Sequence, residues 1–357
     1  MDGDDVFAAI GRTVLAPVLA VWADAVAQRL KDDPTLVPLA LMRDGAVLGQ
    51  AAARRLGRPV AMAWLSRRPS AIAAIADAED HENLLNLLVR MRHRPASWGE
   101  AAAELSLPPP PKGMEGQRLE GYILPCFQYW LTLPQIAYPL YTAAVGTRAA
   151  IMNHLCDLDV LKAAPLLLLD VGYAATVQRC LKRVLALSGQ RQTVHGLYLM
   201  TSPGAHWAMA GNGTVSGVLA ELGQPADFAA LLLRHRDVLE TLLATGEGEL
   251  QGYSPRGVPA TAPSALPPEQ IAQAARLQQA ALDGMDQWDG NVETARAALS
   301  RLLLSPTEAE VAALGSWLHA DATALDGPRR LADGPPDGGR DTTLWPAAAR
   351  LGTPRKC

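Results

Sequence analysis

At 357 residues, with 49% hydrophobic and 19% charged side chains, the chain can bury one large α/β core or two smaller ones, which excludes a disordered polymer. Its formal net charge of -4 supplies no excess of cation for a nucleic-acid backbone, so small molecules or proteins are the expected partners. Cys126, Cys156, Cys180 and Cys357 stand far apart with no C-x-x-C spacing, which argues against a zinc site and a disulfide framework and fits a reducing, cytoplasmic setting.

The first residues, "MDGDDVFAAIG", are acidic where a signal peptide carries positive charge. No stretch reaches the roughly 18 uncharged apolar residues of a spanning helix, so no membrane span is expected. Val14, Leu15, Val18, Leu19, Trp22, Val26 and Leu30 then recur at three- and four-residue spacings, which predicts an amphipathic helix. "LVPLALM" follows, too short for a helix and bounded by Pro34 and Gly45; "AVLGQAAARRLG" returns to helical periodicity; "PVAMAWLS" is again strand-like. A short strand, helix, strand unit of this kind puts its two strands parallel in one sheet.

The pattern turns helical from Asp77 to Arg94, breaks at the polyproline-like "LSLPPPPKGMEG", and resumes over 119–162 with interruptions at Pro125, Pro134 and Pro139. "APLLLLDVGYAATVQRCLKRVLALSG" repeats the opening architecture, an apolar strand, a polar break at Asp170 to Gly172 and a helix, and "TVHGLYLMTS" adds another strand. The expected fold is therefore α/β: a Rossmann-like, mainly parallel sheet over residues 1–225 with a helical insertion at about 77–162. A helical C-terminal region is expected at 226–304, packed on that domain, followed by a loosely structured tail at 305–357 that includes "DGPPDGGRD".

In open parallel sheets ligands sit beyond the carboxyl ends of the strands, where the following helices aim their positive N-termini. Arg43, Asp44, Ser66, Arg67, Arg68, Asp170, Tyr173 and Thr176 would gather at that edge. Gly45 and Gly172 would allow tight turns whose backbone N–H groups suit a phosphate or carboxylate. The same residues also fit a purely structural role, with Asp44 paired to an arginine and Asp170 capping its helix, or a protein-binding edge. Three arginines exceed what two carboxylates need, which favours an anionic ligand.

Other patterns point away from chemistry. "GNGTVSG" from Gly211 and "GEGELQG" from Gly246 follow no clear strand and lack dinucleotide spacing, so both read as loops. His81, His93, His154, His195, His206, His235 and His319 show no H-x-x-x-H or H-E-x-x-H spacing, so no metal site is expected; no G-x-S-x-G nucleophile elbow is present either.

Taken in order, "LMRDGAVL", "WLSRR", "DVGYAATVQ", "LQGYSPRGVPA" and "QIAQAARLQQAALDGMDQW" resemble the C-terminal region of bacterial predicted hydrolases of the haloacid dehalogenase-like (HAD) superfamily. Such proteins are encoded with glycosyltransferases of surface-polysaccharide biosynthesis. The resemblance spans about residues 10 to 290 and implies a site at Arg43, Asp44 and Gly45, at Ser66, Arg67 and Arg68, and at Asp170, Gly172, Thr176 and Gln178. Met42, Tyr173 and Ala175 stand where the pattern has alanine, tryptophan and glycine. Ala175 falls in the tightest part of that loop, where alanine resists positive φ and glycine does not.

The superfamily's hydrolase chemistry belongs to an N-terminal domain whose strand ends in D-x-D. Here the second neighbour of Asp170 is Gly172, and the Asp157 and Asp159 pair follows "IMNHLC", which is no strand, so the phosphatase mechanism does not carry over. "LALMRDGAVLGQAAARRLGRPVA" and "PLLLLDVGYAAT" also resemble the strand-loop-helix segments of type I phosphoribosyltransferases, although their ribose-binding loop carries two adjacent acids and this one only Asp170.

The resulting expectation is a cytoplasmic protein that binds a phosphorylated or otherwise anionic ligand, a nucleotide or sugar phosphate, in surface-glycan metabolism. Arg43, Arg67 and Arg68 would hold the anion, while Asp44 and Asp170 would act as the catalytic pair if there is a reaction, orienting hydroxyls or a metal-bound water. The alternatives are a non-catalytic module for a glycosyltransferase or assembly partner, and a phosphoribosyltransferase-like enzyme. The residues specify no cofactor.

Overall fold

The computed structural model describes residues 5–90, 95–162, 164–320, 327–335 and 343–352. Its centre is a five-stranded, all-parallel sheet: β1 (Val37–Leu41), β2 (Ala61–Ala63), β3 (Leu166–Asp170), β4 (Val194–Met200) and β5 (Val215–Ala220), in the order β2-β1-β3-β4-β5. The fold is α/β and Rossmann-like, as the alternation of apolar runs and amphipathic segments predicts.

The runs "VPLAL" and "LLLLD" are continuous rather than alternating because helices cover both faces of the sheet. Successive residues of β3 enter opposite cores, Leu167 and Leu169 on one side and Leu166 and Leu168 on the other. The first side holds α1 (Val6–Ile10), α2 (Ala16–Asp32) and α3 (Ala46–Leu56), tied together where the Trp22 indole donates to the Leu48 carbonyl at 2.9 Å. The second holds α4 (Arg67–Ala73), α5 (His81–Leu85), α6 (Trp98–Glu104), α7 (Ile123–Thr132), α8 (Pro134–Asp157) and α9 (Thr176–Leu187). The expected insertion thus covers one face of the sheet. Residues 91–94, within its first predicted helix, lie outside the described residues.

The helices α10 (Ala226–Arg234), α11 (Arg236–Leu243), α12 (Pro268–Gly284) and α13 (Val292–Leu304) contribute to the same core as α2 and α3. A hairpin of β6 (Leu250–Tyr253) and β7 (Pro259–Thr261) lies between α11 and α12 in the chain. The chain closes with α14 (Glu308–Leu314), the β8 (Leu318–His319) and β9 (Arg329–Arg330) pair, and α15 (Pro346–Gly352).

Three features differ from the sequence reading. The strand β5 overlaps "GNGTVSG", read above as a loop; it is an edge strand whose glycines and polar residues hide the alternation. The tail at 305–357 buries Trp317, Leu331, Leu344 and Trp345, and the Trp345 indole donates to the Leu303 carbonyl at 3.2 Å. Its Gly- and Pro-rich composition conceals these aromatic anchors, while 321–326, 336–342 and 353–357 lie outside the described residues. Lastly, the helical stretch Val6–Asp32 is long and apolar enough to cross a membrane, but 67% of its most apolar window is buried in the fold, as a core helix is.

Candidate functional site

Chain connections leave β1 toward β2 on one side and reach β3 on the other, so β1 and β3 flank the point where the strand order reverses. Such a point opens a crevice beyond the carboxyl ends of the strands. Here it is a cavity of about 430 Å³, bordered by the residues after β1 (Arg43, Asp44), after β2 (Ser66, Arg67) and after β3 (Asp170, Gly172, Tyr173, Thr176). Side chains separated by more than 120 residues of sequence are brought to one sheet edge, as the two βαβ units predict.

The two turns beside the cavity are unusual backbone. Arg43 adopts φ +74° and Ala175 φ +52°, a region that disfavours a side chain with a Cβ. The position after β1 that needs left-handed backbone is thus Arg43 and not Gly45, whose φ is -82°. Gly45 is required for a different reason: a Cβ there would stand 2.4 Å from the Leu41 carbonyl oxygen. Gly172 meets both demands, with φ +142° and the Met200 carbonyl oxygen 2.2 Å from a notional Cβ. Ala175 then serves as the N-cap of α9 without a side-chain hydrogen bond, so the first N–H groups of that helix receive no cap from it.

The electrostatics centre on Asp170. Burial pushes its carboxyl up to about 7; the backbone N–H of Val171 and the Arg67 guanidinium pull it down, while Asp44 pushes it further up. A carboxyl with that value exchanges its proton near neutrality. Tyr173 is held far above the ordinary phenol range, first by burial and then by Glu240, with Asp237 and Asp44 adding to the effect and Arg236 opposing it. Its hydroxyl is buried with no hydrogen-bond partner among the described residues. Arg43 and Asp44 form no side-chain hydrogen bond or ion pair among the described residues, so Asp44 is not committed to an arginine, the structural alternative raised above.

Two residues expected at the site are used elsewhere. Gln178 is fully buried: its amide donates to the Val194 carbonyl at 2.8 Å and the Thr214 carbonyl at 3.0 Å, and accepts from the Tyr198 hydroxyl at 3.0 Å. It braces β4 against the segment leading into β5, and both amide hydrogens and its carbonyl oxygen are engaged in that role. Arg68 lies one helical step from Arg67 on α4 and donates to the Gln251 carbonyl at 3.1 Å, outside the main cavity. Gly45 supports the turn without bordering the cavity.

Other cavity residues were not singled out by the sequence. Arg236, Glu240 and Thr241 come from α11 and His319 from β8, while 247–249 and 262–266 come from the segments flanking the β6–β7 hairpin. The hairpin is anchored to the end of β2, where the Tyr253 hydroxyl donates to the Trp64 carbonyl and the Trp64 N–H donates to His154 Nε2 at 3.0 Å. The "GEGELQG" segment, read as a loop, is therefore a border of the site. The acid and base spacing on α11, Arg236 with Glu240 and Thr241, was the one available signal, masked by an ordinary amphipathic pattern.

No protein-family model and no curated protein matches the chain.

Proposed function

We propose that the strand-end cavity binds a phosphorylated or otherwise anionic small molecule of the nucleotide or sugar-phosphate class. The observation that carries this reading is the convergence, at the β1/β3 reversal point, of two arginines (Arg43, Arg67) and two carboxyls (Asp44, Asp170) around one 430 Å³ space. The α9 N-terminus, whose N-cap Ala175 supplies no side-chain hydrogen bond, adds positive potential from the same side. Arg43 and Arg67 pair with the anion, Thr176 and the N–H groups of α9 donate to its oxygens, and Asp44 accepts from hydroxyls. Asp170, poised near 7, donates when protonated and serves as proton acceptor if the bound molecule reacts. Placement in surface-polysaccharide biosynthesis, and any kinship with the HAD superfamily or the phosphoribosyltransferases, rests on the motif resemblance alone.

A thermal-shift screen with nucleotides, sugar phosphates and phosphoribosyl pyrophosphate tests the reading. At least one class is expected to raise the Tm of the wild type and to raise it less in Arg67→Ala and Asp170→Asn. No shift in the wild type sinks the ligand; equal shifts in all three proteins sink the site assignment.

A second reading, a docking module for a glycosyltransferase or assembly partner, has its own observation. Tyr122, Tyr129 and Tyr138 on the helical insertion are 77%, 69% and 77% exposed. Exposed aromatics of this kind are enriched at protein interfaces. Changing all three to serine would leave the thermal-shift response intact and remove partner capture if the insertion is the interface.

A further inference from the structure

We propose that Asp237, Glu240 and His319 form a binding site for a divalent first-row transition metal, Zn²⁺ foremost, on the border of the strand-end cavity. The sequence reading expects no metal site, because its spacing rules look for ligands close together in the chain. Here α11 supplies Asp237 and Glu240 on one face, three residues apart, and β8 supplies His319. One ligand atom from each lies within 4.8 Å of the other two. The side chains are 1%, 22% and 9% exposed, so the carboxylates face the imidazole away from bulk water.

The hydrogen bonds fix which nitrogen faces the carboxylates. The Thr241 hydroxyl has one proton, and it is donated to the Asp237 backbone carbonyl at 2.6 Å. His319 Nδ1 lies 3.1 Å from Thr241 Oγ1, and in the tautomer with the N–H on Nδ1 that oxygen accepts from it. That arrangement orients a metal-binding imidazole through its other nitrogen. Nε2 is left pointing at Asp237 Oδ1 at 3.5 Å and Glu240 Oε2 at 3.8 Å. A lone pair against two carboxylates is repulsive unless a cation lies between them.

A metal ion or a proton on Nε2 can lie between them, and the separations favour the metal. A charged N–H to carboxylate contact closes to about 2.7–2.9 Å. Ligand atoms about 2.0–2.2 Å from a tetrahedral zinc stand roughly 3.4 Å from one another. The observed 3.5 and 3.8 Å fit the second spacing. Arg236 Nε, 3.6 Å from the same Asp237 oxygen, is an outer neighbour that orients the carboxylate. Glu240, Thr241 and His319 also border the cavity, so three protein ligands leave a coordination position facing it, as in zinc sites that take water or an oxygen of a small molecule. The site is defined without reference to the cavity's ligand, and failure of either proposal leaves the other standing.

The test uses the full chain, stripped with a chelator and titrated with Zn²⁺ alone. Competition with a chromophoric chelator gives affinity, and metal analysis after dialysis gives stoichiometry. One tightly held Zn²⁺ per chain is expected, with affinity at least tenfold weaker in His319→Gln and Glu240→Gln. Thr241→Val, which removes the group orienting the imidazole, is expected to weaken binding about 10- to 100-fold. Co²⁺ should give the visible band of a tetrahedral site in the wild type and lose it in His319→Gln. Glu240 is the most exposed of the three, so Glu240→Gln carries the test if His319→Gln does not fold. Absence of stoichiometric Zn²⁺ in the wild type, or unchanged affinity in a folded Glu240→Gln variant, overturns the proposal.

Discussion

Two tyrosines at the sheet's carboxyl end have opposite surroundings. Tyr198 in β4 is fully buried and its hydroxyl donates to Gln178, whose amide in turn closes on two backbone carbonyls. Tyr173, in the loop after β3, has an equally buried hydroxyl with no partner among the described residues, and carboxyls and an arginine around it. The first is a completed network, where every polar group is matched and stability results. The second belongs to a residue that borders the cavity, and a buried donor left unmatched is retained at a cost in stability that a ligand can offset. Polar satisfaction thus separates structural polarity from functional polarity where residue type alone does not.

The closed network should be the most sensitive to mutation. Gln178→Ala removes three hydrogen bonds at once, two of them fully buried. It is expected to lower unfolding free energy by about 3–4 kcal/mol. Denaturant unfolding measures this, and a loss below about 1 kcal/mol would show that Gln178 is not the brace described.

The open side responds with the opposite sign. The folded Asp170 carboxyl keeps its proton up to about 7, whereas the reference value is 3.8. Between those values the unfolded chain has lost a proton that the folded chain retains, so the contribution to stability falls as pH rises and is flat above the folded value. Asp170→Asn removes this dependence. It is expected to stabilise the protein by about 1–3 kcal/mol at pH 8, with the gain shrinking toward pH 4, while reducing ligand response. A variant less stable than wild type at pH 8 would mean that the carboxylate is held by favourable partners.

The division between the two regions also explains what the sequence could show. β1 and β3 were legible because burial on both faces leaves long apolar runs, and Asp44 and Asp170 were legible as the polar breaks that end them. Gln178 looked like a site residue because its helix begins at the site; its direction of projection, set by helical phase, sends it into the core. The same phase separates Arg67 from Arg68 on α4. The pairing of Glu240 with His319 was invisible, since they stand 79 positions apart in the chain with a hairpin between them and only tertiary packing brings them together. β5 was hidden because an edge strand tolerates glycines and polar residues that interrupt the apolar pattern.

Backbone conformation offers a smaller perturbation. Ala175 sits at φ +52°, where a Cβ costs about 1 kcal/mol and where the resembled motif has glycine. Ala175→Gly relieves that cost but enlarges the entropy of the unfolded chain, leaving an expected net gain of up to about 1 kcal/mol. Thermal melting at fixed pH reads the difference. A clear loss would mean that the methyl group's burial outweighs the backbone strain.

The two tyrosines give the most direct test of their contrast, and one of them the smallest change in stability. Tyr198→Phe strands the Gln178 carbonyl oxygen in the core and is expected to cost about 1–2 kcal/mol. Tyr173→Phe removes a buried donor that has no partner among the described residues, so its stability should stay within about 0.5 kcal/mol of wild type, or rise slightly. The binding response should reverse that order, because only the Tyr173 hydroxyl has hydrogen-bonding capacity left for a molecule in the cavity. If Tyr173→Phe destabilises as much as Tyr198→Phe in the ligand-free protein, its hydroxyl already has a partner in solution, and the distinction between a closed structural network and an open binding one fails at that residue.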